Sequence, residues 1–342
     1  MTRDAPALAR RRLARGALAL ASGAFTLVLT QALAGPSMPD PRPSERHERS
    51  VTEWLSRMQE ASRQRSYVGT FVVSSSNGGM ASARIWHACD GQRQVERIDT
   101  LSGEKRSTFR RDDEVLTFLP EARTVRSERR EALGLFPDLL KPDDSAIPDF
   151  YTARRVGSDR VAGFDAEIVQ VLPKDSLRFG YRIWSEKKSG LVVKLQTLDE
   201  QGHVLEQAAF SELQLDASVR MDRLAHMMTV PEGWRVEKTD AVKTTAAAEG
   251  WTLRQPVAGF KSMNCYKRRA EGVLQWIFSD GLASVSLFVE DFDRERHLRE
   301  GVFASGATHT LTRRMQDSWV TAVGEVPPAT LRAFALSLER RK

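Results

Sequence analysis

The side chains of this chain best suited to metal binding or nucleophilic catalysis are His47, His87, His203, His226, His297 and His309, with Cys89 and Cys265. Their spacing argues against both chemistries. No two histidines stand four apart, the separation that places two imidazoles on one helix face. The signatures G-x-x-x-x-G-K-[ST], G-x-S-x-G, H-E-x-x-H and G-x-G-x-x-G do not occur. No catalytic residue, cofactor or metal is therefore expected. His87 falls in a predicted strand, where an imidazole is ordinarily structural or a surface group. The run Glu290-Asp291-Phe292-Asp293-Arg294-Glu295-Arg296-His297 alternates in sign and reads as a self-neutralising, solvated segment. Arg126, Arg129, Arg130 and Lys141 could face an anion, but Glu128 and Glu131 interrupt them and imply a mixed surface. Two readings stay open for the cysteines: a Cys89–Cys265 disulfide in an oxidising compartment, or two separately buried thiols. The remaining candidate is apolar. Phe71, Trp86, Phe109, Phe118 and Tyr181 sit in predicted strands, either as ordinary core or as a greasy concavity able to take an acyl chain.

The elements that must position these groups are mostly strands. Ser50 and Glu53 have capping-box spacing, and Val51, Trp54, Leu55 and Met58 recur on one face, which predicts a helix to about Arg65. Tyr67–Ser76, Ala81–Ala88, Gln94–Thr100, Arg106–Arg111, Glu114–Leu119 and Thr124–Glu128 then read as short antiparallel strands. Asn77-Gly78-Gly79 supplies a hairpin turn rather than a phosphate loop. Pro137, Pro142 and Pro148 interrupt them around short helical pieces such as Phe136–Leu140. Strands resume over Tyr151–Leu213. Residues 217–250 carry few strand signals and read as a linker. A second β-rich block runs from Lys261 to Val323, and a final helix starts at Ala329 behind Pro327 and Pro328.

The first thirty-four residues resemble an export signal: a basic head (Arg3, Arg10, Arg11, Arg12, Arg15), an uncharged run Gly16–Thr30, and Ala32-Leu33-Ala34. Cleavage after Ala34 and a soluble exported protein are the expectation, with residues 35–49 a Pro-rich flexible leader. The full chain has 51 basic and 45 acidic residues, a formal charge of +6. Removing residues 1–34, with five Arg and one Asp, leaves 46 and 44, or +2. Nucleic-acid binding thereby loses its main compositional support.

Several ordered motifs then carry a family resemblance. In the first half they are Trp54-Leu55, Tyr67-x-Gly69-x-Phe71-Val72, Arg84-Ile85-x-His87-x-x-Asp90-Gly91, Glu96-Arg97-Ile98, Phe179-Gly180-Tyr181-Arg182-x-Trp184 and Glu206-Gln207-x-x-Phe210. In the second they are Gly259-Phe260, the run Ser279–Glu290 and Gly324-Glu325-Val326-Pro327. Together they resemble the RseB/MucB family, periplasmic negative regulators of the envelope-stress sigma factor. The resemblance implies an α+β, mainly antiparallel fold. Residues 50–216 would form a large unclosed β-barrel with a helical plug, similar to the lipoprotein carrier LolA. Residues 251–342 would form a smaller antiparallel sheet with a helix.

The resemblance also implies partners. One is the periplasmic domain of an RseA/MucA-type anti-sigma factor, shielded from proteolysis while bound. The other is a lipid or lipopolysaccharide-type fragment that triggers release, and homo-oligomers are compatible with long strand edges. The alternative is a periplasmic lipid or lipoprotein carrier of the LolA type. Candidate pocket residues are Phe71, Val73, Ile85, Phe109, Phe118 and Ile168. Candidate partner-binding residues are Trp276, Phe278, Ser284, Ser286 and Phe288, on a predicted hairpin whose edge would accept an extended peptide.

Overall fold

The computed structural model describes residues 49–342 apart from 113, 130–145, 239–240 and 342. The export signal, almost all of the Pro-rich leader and the helical piece expected at 136–140 lie outside the described residues. Helix α1 (Val51–Gln64) begins as the capping box predicts. The Glu53 N–H donates to Ser50 Oγ at 3.2 Å, and the Ser50 N–H donates to the Glu53 carboxylate at 2.6 Å. Its buried face carries Val51, Trp54, Leu55 and Met58, the i, i+3, i+4, i+7 set. Burial of each such side chain contributes roughly 1.5–3 kcal/mol.

Six strands follow: β1 (Tyr67–Ser75), β2 (Met80–Cys89), β3 (Gln94–Thr100), β4 (Ser107–Arg111), β5 (Glu114–Leu119) and β6 (Thr124–Arg129). The short α2 (Ile147–Phe150) leads into β7 (Tyr151–Val161), β8 (Phe164–Pro173), β9 (Gly180–Glu186), β10 (Val192–Leu198) and β11 (Val204–Leu215). Next come α3 (Met221–His226) and β12 (Arg235–Lys238). These strands make one twelve-stranded sheet, ordered β12-β6-β5-β4-β3-β2-β1-β11-β10-β9-β8-β7. It is not closed: β12 and β7 stand at its two ends. Its pairs are antiparallel except β12 on β6, where Glu237 is brought to 3.8 Å from Arg126. The segment 217–250 thus carries elements of its own.

Alternation along β2 assigns the faces. Ile85 packs with Tyr67, Phe210 and α1 residue Ala61. Its neighbour Trp86 points the other way, toward Phe109, Leu116 and α3 residue Leu224. Here α1 and α3 cover opposite faces of the sheet.

The remaining strands are β13 (Ala241–Thr244), β14 (Trp251–Leu253), β15 (Lys261–Arg268), β16 (Val273–Ser279), β17 (Ser284–Asp291), β18 (Gly301–Ser305), β19 (Thr308–Met315) and β20 (Ser318–Gly324), followed by α4 (Pro328–Ser337) and β21 (Leu338–Arg340). Seven of them form a second, antiparallel sheet ordered β13-β15-β16-β17-β20-β19-β18, while β14 pairs with β21. Leu331 and Phe334 of α4 close over Val285, Leu287 and Val320 to make its core. The architecture is the expected one: mainly antiparallel, a large unclosed sheet first, then a smaller sheet with a helix.

Candidate functional site

Four side chains form a row across adjacent strands of the large sheet. Register places Gln214 of β11 opposite Val68 of β1, Val68 opposite Trp86 of β2, and Trp86 opposite Arg97 of β3. The strand-to-helix segment after β11 and α3 itself lie over this row with Ala217, Val219, Arg220, Arg223, Leu224 and Met227. Between row and roof lies a cavity of about 480 Å³, large enough for part of a lipid-sized ligand.

The cavity has two chemical sides. Val68, Trp86, Val219, Leu224 and Met227 are apolar. Arg97, Arg220 and Arg223 are cationic. The Arg97 guanidinium stacks 5.0 Å from the Trp86 ring and 5.5 Å from Phe109, and it donates to both Asp99 carboxylate oxygens at 2.9 and 2.7 Å. Arg220 pairs with Asp222 at the start of α3. An acyl chain laid on Trp86 and Leu224 would bring an anionic headgroup to the arginines.

The opposite face of β2 and β3 carries a buried polar cluster. His87 donates through Nδ1 to Glu96 Oε1 at 3.0 Å, Glu96 Oε2 accepts from Arg110 at 3.0 Å, and the His87 ring stacks on Tyr67 at 4.8 Å. Burial works to lower the His87 pKa. Hydrogen bonds and charge from Cys89 and Glu96 outweigh it and raise the value to about 9. Burial likewise opposes ionisation of Glu96, but His87 and Arg110 hold its carboxyl below the usual range. His87 is therefore an interior, ion-paired imidazole rather than a surface group. Among the described residues no group of three or more His, Cys, Asp or Glu side chains is placed to hold a metal ion.

A third feature joins the two sheets. Arg178, before β9, donates through Nε to Asp280 in the β16–β17 turn at 2.8 Å, and the Tyr151 hydroxyl donates to the same Asp280 oxygen at 2.9 Å. Asp280 Oδ1 in turn accepts the Leu282 and Ala283 N–H groups that shape its own turn. Asp175 also pairs with Arg178, whose guanidinium lies 4.3 Å from the Phe150 ring and 5.1 Å from Phe260. The Thr330 hydroxyl of α4 donates to the Leu177 carbonyl at 2.6 Å.

Comparison with known proteins places this architecture. Residues 50–228 match the model of the MucB/RseB N-terminal domain, and residues 245–339 that of the MucB/RseB C-terminal domain. The chain belongs to the MucB/RseB family. It is 30% identical over 300 residues to the sigma factor AlgU regulatory protein MucB of Pseudomonas aeruginosa, covering 84% of this chain and 90% of that protein. It is 26% identical over 299 residues to the sigma-E factor regulatory protein RseB of Escherichia coli K12, covering 83% and 89%. A crystal structure of MucB in complex with MucA(peri) superposes with a TM-score of 0.64 at 27% identity, covering 85% of this chain and 99% of that one. A MucA/MucB complex from P. aeruginosa gives 0.65 at 28%, with the same coverage.

For this MucB/RseB chain, the six candidate pocket residues divide between the two faces. Phe71, Ile85 and Ile168 belong to the core on the α1 side. Val73 is half-buried on β1. Phe109 and Phe118 meet edge to face at 5.3 Å in the core beside α3. None of the six lines the cavity. Its lining was missed except for Trp86, noted only among the strand aromatics, because its roof comes from a segment read as linker.

The candidate partner residues also divide. Trp276 and Phe278 point into the second core, 4.6 Å apart, while Ser284, Ser286 and Phe288 lie half-buried on the other face. The hairpin forms as expected, but it is not an edge. β16 is paired by β15 and β17, and β17 by β16 and β20. A peptide cannot add to backbone groups already bonded on both sides; the edges are β13 and β18. The two cysteines are free thiols, Cys89 on the large sheet and Cys265 on the small one, so no disulfide joins them.

Two surface readings are met in part. Arg296 of the 290–297 run pairs with Glu290 and Asp293, as a self-neutralising segment should, but His297 is tucked against Trp319 at 4.8 Å. Arg130, Glu131 and Lys141 lie outside the described residues.

Proposed function

We propose that this chain is an exported regulator that binds the periplasmic segment of an anti-sigma factor of the RseA/MucA type, shields it from proteolysis, and releases it when an anionic amphiphile occupies the cavity under α3. The observation that carries the reading is the likeness, over 85% of the chain, to MucB as solved in complex with MucA(peri). Export follows from the leader, with cleavage after Ala34. The ligand class follows from an apolar lining, Val68, Trp86, Val219, Leu224 and Met227, beside three arginines.

The mechanism is linkage. A ligand preferring the partner-free state lowers partner affinity by its differential binding free energy, and the effect is reciprocal. The half-exposed outer row Ser284, Ser286 and Phe288 is the surface we assign to the partner, which engages it through side chains rather than by strand addition.

The test is a pull-down of the full exported chain with the periplasmic domain of its anti-sigma factor, with and without a lipopolysaccharide fragment. Association that the fragment weakens supports the regulator. Acyl-chain transfer between vesicles without any association would replace it by a carrier. Unchanged binding in Ser286→Arg would remove the assigned surface alone.

A further inference from the structure

Two thiols in one chain have opposite surroundings. Cys265 is enclosed in the second core, and burial pushes it up to about 11. Cys89 is partly exposed at the end of β2, beside the exposed turn Asp90-Gly91-Gln92. Hydrogen-bond donors converge on its sulfur. The Ser66 hydroxyl stands 3.9 Å away and also accepts the Cys89 N–H at 3.2 Å, and the Gly91 amide in the turn also favours the anionic sulfur. Two residues back on the same strand face, His87 presents its ring. That side chain is 1% exposed, and its Nε2 has no hydrogen-bond partner of ordinary geometry among the described residues. Behind it stand Glu96 on Nδ1 and Arg110 on Glu96.

The order thiol, imidazole, carboxylate is the arrangement that activates a cysteine: an oriented imidazolium stabilises the sulfur as its anion. The His87 imidazole, the largest influence, lowers the Cys89 pKa against the effect of burial, with Ser66 adding to it. A purely structural salt-bridge network needs Glu96 and Arg110. It does not need a buried, unpartnered imidazole nitrogen two residues from a reachable thiol on the same strand face, with a hydroxyl beside the sulfur.

We propose that Cys89 is a modification site, a nucleophilic thiolate that takes a low-molecular-weight disulfide into a mixed disulfide. The Cys89 sulfur attacks one sulfur of the reagent. A new S–S bond forms as the old one breaks, and the second half leaves as a thiolate with the electron pair, taking up a proton from water. Cys89 is oxidised and the reagent disulfide is reduced, so no further oxidant is needed.

The experiment treats the folded full chain with oxidised glutathione from pH 6.5 to 9 and follows each cysteine by peptide mass mapping. At pH 7, Cys89 is expected to react at least about fivefold faster than the same thiol in the urea-unfolded chain, the advantage fading as pH approaches 9. Cys265 is expected to stay unmodified while the chain is folded. His87→Asn should erase the advantage. Ser66→Ala, which spares the buried pair and keeps the proposal testable should His87→Asn not fold, should reduce it. A Cys89 rate that tracks the unfolded thiol at every pH overturns the proposal. So does an advantage that survives both substitutions.

Discussion

The Arg178 guanidinium donates to the Asp280 carboxylate at 2.8 Å with both side chains fully buried, one in the segment leading into the large sheet and the other in a turn of the small one. A buried pair of this kind is weak evidence of net stability, since desolvation offsets much of the attraction, but removing one partner strands a charge. Everything around it makes the joint specific. Tyr151, Asp175, Phe150 and Phe260 fit one arrangement of the sheets, and Gly259, at φ +80°, leaves no room for a Cβ beside Arg178 and the Phe150 ring. The proposed release of the partner needs an element with two discrete arrangements, and this joint is where the sheets could separate as units.

Asp280→Asn, which keeps oxygen for its turn but removes the charge, is expected to cost about 3 kcal/mol in urea unfolding. Arg178→Met combined with it should recover part of that loss. A double-mutant cycle with strictly additive costs would show that the pair is not coupled.

Glu96→Gln is expected to destabilise the fold at pH 7 by about 3–5 kcal/mol, because His87 and Arg110 lose their shared buried carboxylate. The pH dependence is also determined. The folded pKa of Glu96 lies below its unfolded value near 4.5, so its contribution is complete above that pH and disappears as pH falls through the folded value. His87 is protonated in both states in that range, since its folded value is about 9 and its unfolded value 6.5. The gap between parent and variant should therefore close below pH 4.5 in denaturation curves. A gap that stays constant from pH 7 to pH 3 would contradict the assignment.

These features differ in how visible they were beforehand. Helix α1 and the interior strands follow from periodicity because one face of each is buried. Edge strand β12, inside the segment read as linker, carries no strand signal for the converse reason: most of its residues are exposed, so no alternation marks it. Helix α3 is six residues long and buries only Leu224, too little to show a period. The roof of the cavity was lost with it. Period two along a strand also yields two sets of side chains without saying which is covered, so Phe71 and Phe109 entered one list although they face opposite ways. The His87–Glu96–Arg110 cluster depends on cross-strand register and the Arg178–Asp280 pair on sheet packing. Linear spacing encodes neither.

Gly69 is a position whose residue type the packing dictates. A Cβ there would lie 2.6 Å from the Phe210 ring and 2.8 Å from the Glu212 carbonyl oxygen, next to the β1–β11 bulge. The backbone oxygen cannot rotate away as a side chain can. Gly69→Ala is expected to cost about 1–3 kcal/mol, measured as a lower urea midpoint with an unchanged slope. An unaffected midpoint would mean that the bulge yields.

Charge reversal at the cavity rim separates ligand chemistry from fold. Arg220, which precedes α3, and Arg223 on α3 are exposed, so Arg220→Glu and Arg223→Glu should leave thermal unfolding within about 0.5 kcal/mol of the parent. Each should weaken binding of an anionic amphiphile severalfold, about 1 kcal/mol, because exposed charge pairs are screened. Raised salt should reproduce that weakening in the parent. A neutral detergent of the same chain length depends on Trp86 and Leu224 instead and should bind both variants as it binds the parent. Equal losses for the neutral and the anionic ligand would place the arginines in the support of α3 rather than in contact with a headgroup, and would remove the anionic specificity proposed for this cavity.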